Sequence, residues 1–363
     1  MTSTQGPTGP TSPAKREEAS ASSTPTITTR MILALALPSL GALIAEPLFT
    51  VIDSTMVGHL GTPQLAGLGI ASTVLNTAVG LFIFLAYSTT SLAGRHLGAG
   101  RRDLAIRSGV EAMWLAGGLG ALAAILLAVF ASPLLTWLGA DAATMPHALA
   151  YLRASAPGLV GMFVVLAATG TLRGLQDTRT PLVAASVGAA FNAVANWVLM
   201  YPLDLGVAGS GLGTAITQTL MAAFLGWMIV RAARCEGVSL RPSTHGLFGA
   251  ALEGAPLLVR TLALRVALLA TLSAVTAIST QALAAHQIVW TLWSFAAYVL
   301  DALAIAAQAL AGFTTGTGER GAMRPLLRTL SRWGIGFGVA VGVVLAITAP
   351  WITRIFTTDQ TVI

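Results

Sequence analysis

Nine long, mostly apolar stretches separated by short connections constrain this chain more than any other feature. They run over about 31–58, 64–93, 108–131, 151–172, 181–201, 207–230, 251–278, 282–312 and 328–349. Each is long enough to cross a bilayer as a helix, which takes roughly 20 residues. In lipid every backbone N–H and C=O needs an internal partner, so only helices or a closed barrel can span. Ala, Leu and Gly dominate the runs, and none alternates polar and apolar residues as a barrel strand must. Charged residues make up 9% of the chain, against roughly 25% in soluble domains. The reading is an all-α polytopic membrane protein.

The basic residues test the count. Sixteen of the 20 fall before run 1 or in the connections after runs 2, 4, 6 and 8, as in Arg95, Arg101, Arg102 and Arg107, or Arg231, Arg234 and Arg241. The alternate connections hold only Arg153 and Arg354. One missed or invented run would scramble that alternation. The positive-inside rule then makes the basic side cytoplasmic, with the N-terminus inside. Residues 1–28, rich in Ser, Thr, Pro and Gly, read as a disordered cytoplasmic tail.

The chain also repeats itself. Residues 65–102 laid on 283–320 without a gap match at 13 of 38 positions, including Gly94/Gly312, Gly98/Gly316, Gly100/Gly318 and Arg102/Arg320. Both copies start on the basic side, so the repeat is parallel. This divides the chain into a first lobe of six spans (29–232), a cytoplasmic linker (233–250) and a partial second lobe of three spans (251–363). Completing the second copy would take roughly 95 further residues and three spans. The expectation is therefore nine spans of a twelve-helix protein, with a natural nine-helix protein as the alternative.

Chemistry is expected where charge enters the apolar runs, because such charge is costly and marks ion or proton routes. Glu46 and Asp53 are two helical turns apart in run 1 and share a face. Asp53 lies about five residues, roughly 8 Å, from the non-basic end of its run. Asn192 and Asn196, one turn apart in run 5, sit at a matching depth. Together they can form a polar pocket, and burial there disfavours the charged carboxylate, so it can load and release a proton. The alternative is that these groups only hydrogen-bond helices together. Asp301 in run 8 and Arg260 in run 7 have matched depths and suit an ion pair, with Arg265 the other candidate cation. Trp137 and Tyr201 read as interface anchors. The glycines at 98–100 and 316–318 read as helix terminators.

Other chemistries find no support. The five histidines lack metal-ligand spacing, there is no GxxxxGK[ST] loop, and the lone Cys235 cannot form an intrachain disulfide. The chain reads as neither an enzyme nor a nucleic-acid binder, and no organic or metal cofactor is expected. Its partners are a small-molecule substrate and the lipid bilayer, in a protein expected to act as a monomer.

Four segments together resemble the multidrug and toxic compound extrusion (MATE) family, with a DinF-like branch nearest. They are EPLFTVIDSTMVGHLGTPQLAGLGIAS, GTLRGLQDTRTPL (170–182), FNAVANWVLM with GVAGSGLGTAI, and LAAHQIVWTLWSFAAYVLDALAIAAQALAG. The resemblance implies two six-helix lobes that rock to give alternating access. It implies export of cationic or amphipathic compounds in exchange for protons or sodium ions, with Asp53 as the coupling carboxylate. The family often has Asn-x-x-x-Asp in span 5, whereas this chain reads Asn192-x-x-x-Asn196, which leaves Asp53, aided by Glu46, to couple. Two rivals stand beside this reading. One is a flippase for lipid-linked intermediates, which calls for a more cationic cavity than Arg260 and Arg265 offer. The other is a transport-incompetent fragment.

Overall fold

The computed structural model describes residues 29–278, 280–318 and 320–356; the expected tail at 1–28 and residues 357–363 lie outside the described residues. Among the described residues there are eleven helices and no strand. They are α1 (Thr29–Gly58), α2 (Thr62–Leu81), α3 (Phe84–Gly98), α4 (Arg102–Trp137), α5 (Met145–Ser155) and α6 (Gly158–Gly174). They continue with α7 (Arg179–Met200), α8 (Gly206–Cys235), α9 (Thr244–Ile278), α10 (Thr280–Gly316) and α11 (Arg320–Phe356). Eight segments are long and apolar enough to cross a membrane, with α2 and α3 counted together. The pair α5–α6, bent by 52° at Ala156–Pro157, makes a ninth. These nine match the nine apolar runs to within a few residues at most ends.

Apolar side chains cover the outside as well as the core. Leu122, Ile125, Leu126 and Val129 form one exposed stripe on α4, and Val183, Val187 and Val194 another on α7. In water such faces would be unstable; against acyl chains they cost nothing. The interior is built on Phe163, Leu152, Leu159 and Leu135, all fully buried, with Phe82 stacked on Phe163 at 4.5 Å.

The motif LRGLQDTRTP is a tight corner between α6 and α7. Gln176 takes a left-handed backbone (φ 65°), which turns the chain. Asp177 then accepts the free amides of Arg179 (3.1 Å) and Thr180 (3.0 Å) and the Thr180 hydroxyl (2.6 Å). A carboxylate at a helix start also meets the positive end of the dipole. Pro181 sits in the first turn, where its missing N–H is not needed. Arg173, expected in a loop, lies instead in the last turn of α6 and is buried, because the corner begins two residues later than the apolar pattern suggests.

The repeat-related glycines do two jobs. Gly100 (φ 72°) and Gly318 (φ 74°) end α3 and α10 as left-handed caps. Gly94, Gly98, Gly312 and Gly316 act differently: α3 and α10 cross there. A side chain at Gly94 would come within 3.0 Å of the Ala309 carbonyl oxygen, and one at Gly312 within 2.7 Å of the Ser91 carbonyl oxygen. Gly98 and Gly316 lie closer still, against the carbonyls of Phe313 and Arg95. The two copies thus meet backbone to backbone at the basic end. Ile32 and Leu35 of α1 extend this contact, packing on Ala306, Ala309 and Leu310 of α10 and on Leu326 and Leu330 of α11. Between 288 and 301, nearer the other end of α10, none of the described side chains is buried.

The linker after α8 is held to α4. The Trp114 indole donates to the Leu240 carbonyl (3.0 Å), and Ser243 donates to Glu111 (2.6 Å), which also faces Arg107 at 3.4 Å.

Candidate functional site

Asp53 is 4% exposed and accepts two hydrogen bonds on one oxygen, from Asn196 Nδ2 (2.9 Å) and Ser210 Oγ (2.5 Å). Helix α1 supplies the carboxylate, α7 the amide and α8 the hydroxyl. The depth match read from sequence places Asp53 and Asn196 side by side. Asn192 lies one turn along α7, also buried, and its amide reaches Thr217 of α8 (3.3 Å).

Packing lets these groups meet. A side chain at Gly213 would collide with the Asn196 amide oxygen, so α8 must be bare there. Gly209 faces the backbone of Leu199 and Met200 for the same reason. Tyr201 ties the far ends of α7 and α1 together by donating to the Met56 carbonyl (2.8 Å); expected as an interface anchor, it also serves as this clasp.

Ser210, Thr214 and Tyr151 were not expected at the site. Tyr151 is buried within electrostatic reach of Asp53 and lies beside Thr214. The one signal for α8 is its run of small residues, GVAGSGLGTA, which marks close approach but not which hydroxyl faces the carboxylate.

Among the described residues no fixed countercharge touches Asp53, and the groups that do touch it are neutral. Also among the described residues, the Asn196 Oδ1 and Thr214 Oγ1 atoms are buried without a hydrogen-bond partner. A buried carboxylate with spare oxygens around it calls for a proton or a small hard cation, since unpaired charge in an apolar interior costs several kcal/mol. No group of three or more His, Cys, Asp or Glu exists among the described residues, so nothing there suits a transition metal.

The other expected residues lie elsewhere. Glu46 is within α1, but its side chain is outside the described residues. Asp301 and Arg260 feel each other's charge across α10 and α9 without forming the expected contact pair; matched depth does not make two side chains face each other. The Arg265 guanidinium occupies the space that a side chain at Gly80 would need. Asp301 and Arg260 lie within electrostatic reach of Tyr87, and Arg265 lies against Gly80; none of the three touches Asp53.

The MatE family model matches residues 38–198 and 256–363, most of the chain. The chain belongs to the MATE family. It is 32% identical over 346 residues to Protein DETOXIFICATION 44, chloroplastic, of Arabidopsis thaliana, covering 92% of this chain and 66% of that protein. It is 29% identical over 308 residues to DNA damage-inducible protein F of Escherichia coli, covering 82% and 66%, in line with the DinF-like resemblance. A crystal structure of a MATE protein in the bent conformation superposes with a TM-score of 0.83 at 22% identity, over 90% of this chain and 74% of that one. The MATE-family chain thus spans just under two thirds of the length of these curated relatives.

If the Asp53 pocket holds an ion, its neutral donors matter in proportion to their contact with the carboxylate. Replacing Ser210 with Ala removes a hydrogen bond to a charged group, worth about 1.5–3 kcal/mol. Because the hydroxyl donates to the carboxylate and favours its charged form, the expected result is a roughly tenfold or greater fall in the proton concentration needed for half-maximal transport, or a rise in the sodium concentration if that ion uses the hydroxyl as a ligand. An unchanged concentration dependence in Ser210→Ala would show that the serine only joins α8 to α1.

Proposed function

We propose that this protein is a secondary antiporter that exports small amphipathic molecules from the cytoplasm in exchange for protons or sodium ions. Its place would be the plasma (inner) membrane, with the N-terminus and the basic connections inside. The carrying observation is the Asp53 pocket: a buried carboxylate with two neutral donors and, among the described residues, two unpartnered oxygens nearby and no fixed cation in contact. Such a pocket is stable only when a mobile positive charge fills it, so its occupancy can follow the ion gradient. Family membership supports export as the direction of transport. The MATE resemblance implies cationic compounds among the cargo.

The crossing of α3 and α10 supports a resting state closed on the cytoplasmic side, with Asp53 toward the outer half of the membrane. Ion binding from outside would neutralise the carboxylate and loosen its hold on α7 and α8. Helix α1 already carries two internal prolines, Pro38 and Pro47, each of which removes a backbone hydrogen bond. That makes it the element best suited to bend when its anchor is released.

The test is transport in proteoliposomes containing the purified chain and ethidium. Imposed opposing gradients of protons and of sodium, one at a time, should reveal which ion drives dye movement. Failure of both gradients, with the protein correctly inserted, would remove the antiport reading.

A further inference from the structure

The connection between the two copies is a fastened strap, not a slack tether. Helix α8 ends at Cys235 and α9 begins at Thr244, so residues 236–243 carry the chain from one lobe to the next. A flexible linker is rich in Gly and Ser, whereas this stretch reads EGVSLRPS. Its side chains alternate as in an extended chain. Val238 and Leu240 turn inward onto the core cluster of Ile106, Val110, Leu225 and Ile229, while Ser239 and Arg241 are exposed.

Polar contacts pin the strap to α4 along its length. Arg102 meets Glu236 at 3.2 Å, an exposed pair that holds little by itself. The Trp114 indole donates to the Leu240 carbonyl at 3.0 Å, and Ser243 donates to Glu111 at 2.6 Å. Glu111 is the main pin: its side chain is 12% exposed, and Arg107 faces the same carboxylate at 3.4 Å. A hydrogen bond to a charged, half-sheltered acceptor is the strongest of these contacts.

Helix α9 follows the strap onto the first lobe. Gly254 lets it approach the Phe84 ring of α3, and Leu257 and Leu258 pack on the cluster that holds Phe84, Ala112 and Ala116. Further along, Val259, Leu262, Val266 and Leu269 are exposed. The first half of a helix that the repeat assigns to the second copy is thus fastened to the first copy, at the end where α3 and α10 cross.

We infer that the strap is a latch on the basic end. Helix α9 packs on both α3 and α4, so parting α10 from α3 draws α9 and the strap away from α4. Ser243 and Leu240 then let go of Glu111 and Trp114, and the strength of that grip sets how often the end opens. By linkage, weakening the strap favours opening, and forcing the crossing apart loosens the strap. The latch goes beyond the exporter reading and requires only that the basic end opens, whatever the cargo or ion.

Two reciprocal measurements test it, on the full chain in phosphatidylcholine nanodiscs without cargo or ion gradient, so the result is independent of the proteoliposome assay. The first follows maleimide labelling of Thr314→Cys in a Cys235→Ser background, since Thr314 is buried on α10 between the crossing glycines. Ser243→Ala loses a bond to a carboxylate and should raise labelling at least about fivefold, and Trp114→Phe, which loses a neutral bond, about threefold. Ser243→Thr keeps the hydroxyl and should label at the wild-type rate. The second follows hydrogen exchange across residues 238–243, where the amides of Val238 and Arg241 have acceptors in Ala233 O and Ser239 Oγ. Gly98→Val should speed that exchange at least about threefold, and Gly100→Val should not. Monodisperse elution checks folding, and the labelling arm decides if Gly98→Val fails to fold. Wild-type labelling in Ser243→Ala and Trp114→Phe alike would overturn the latch, leaving the strap a packed linker. Wild-type strap exchange in a folded Gly98→Val whose labelling has risen would overturn it as well.

Discussion

Asp53→Asn is expected to insert and fold normally yet lose ion-driven efflux by at least about tenfold, down to the background of protein-free vesicles. The amide keeps an oxygen where Ser210 and Asn196 donate, at 2.5 and 2.9 Å, so the contacts among α1, α7 and α8 survive. What disappears is the charge. A neutral amide has no reason to take up a proton and little to hold a sodium ion, so the pocket stays in one state whatever the gradient. Tenfold corresponds to about 1.4 kcal/mol, and the cost of burying an unpaired carboxylate exceeds that. Gradient-driven efflux by Asp53→Asn at the wild-type rate would show that coupling resides elsewhere, with Glu46 the next carboxylate to replace.

Gly98→Val should force α3 and α10 apart. A Cβ at Gly98 has no room beside the Phe313 carbonyl, and the obstacle is backbone, which cannot rotate aside. Overpacking of this kind typically costs about 1–3 kcal/mol, here concentrated at the contact that closes the basic end. The readout is a cysteine at Thr314, 5% exposed on α10, in a background where the exposed Cys235 is serine. Valine at 98 should raise labelling by a membrane-impermeant maleimide at least about tenfold, as expected for a shift of 1.4 kcal/mol or more toward an open end. Gly100→Val serves as the contrast: nothing lies within 4 Å of a side chain there, so it should strain the cap without opening the crossing. Equal labelling in wild type and Gly98→Val would mean that the crossing does not close the basic end.

Both experiments probe features that were partly visible before any coordinates. The matched depths of Asp53 and Asn196 follow from counting residues along two helices that run the same way, and the helical rise is nearly invariant. The glycine spacing stood out because Ala and Leu matches are cheap in membrane helices and repeated glycines are not. What the pattern hid was its meaning. Gly98 and Gly316 read as helix terminators, and only the crossing shows that each makes room for the other copy. Ser210 could not be told from its neighbours in a stripe of small residues. Arg173 looked like a loop residue because the apolar pattern fades before the helix does. The Asp301–Arg260 pair was argued from depth alone, and depth does not fix the facing of two side chains.

The sequence by itself determined that the chain crosses a membrane repeatedly as helices, where those helices lie, and that one copy is repeated in parallel. These follow from rules that act locally: the length of an apolar run, the cost of an unpaired amide in lipid, and the asymmetry of basic loops. Tertiary structure alone decided which polar groups share a pocket and which remain without partners. A helix carries its side chains around a full turn every 3.6 residues, so the facing of Ser210 toward Asp53, or of Asn192 toward Thr217, depends on how each helix is rotated against its neighbours. That rotation is set by packing at Gly209, Gly213 and the α3–α10 crossing, between residues far apart in the chain.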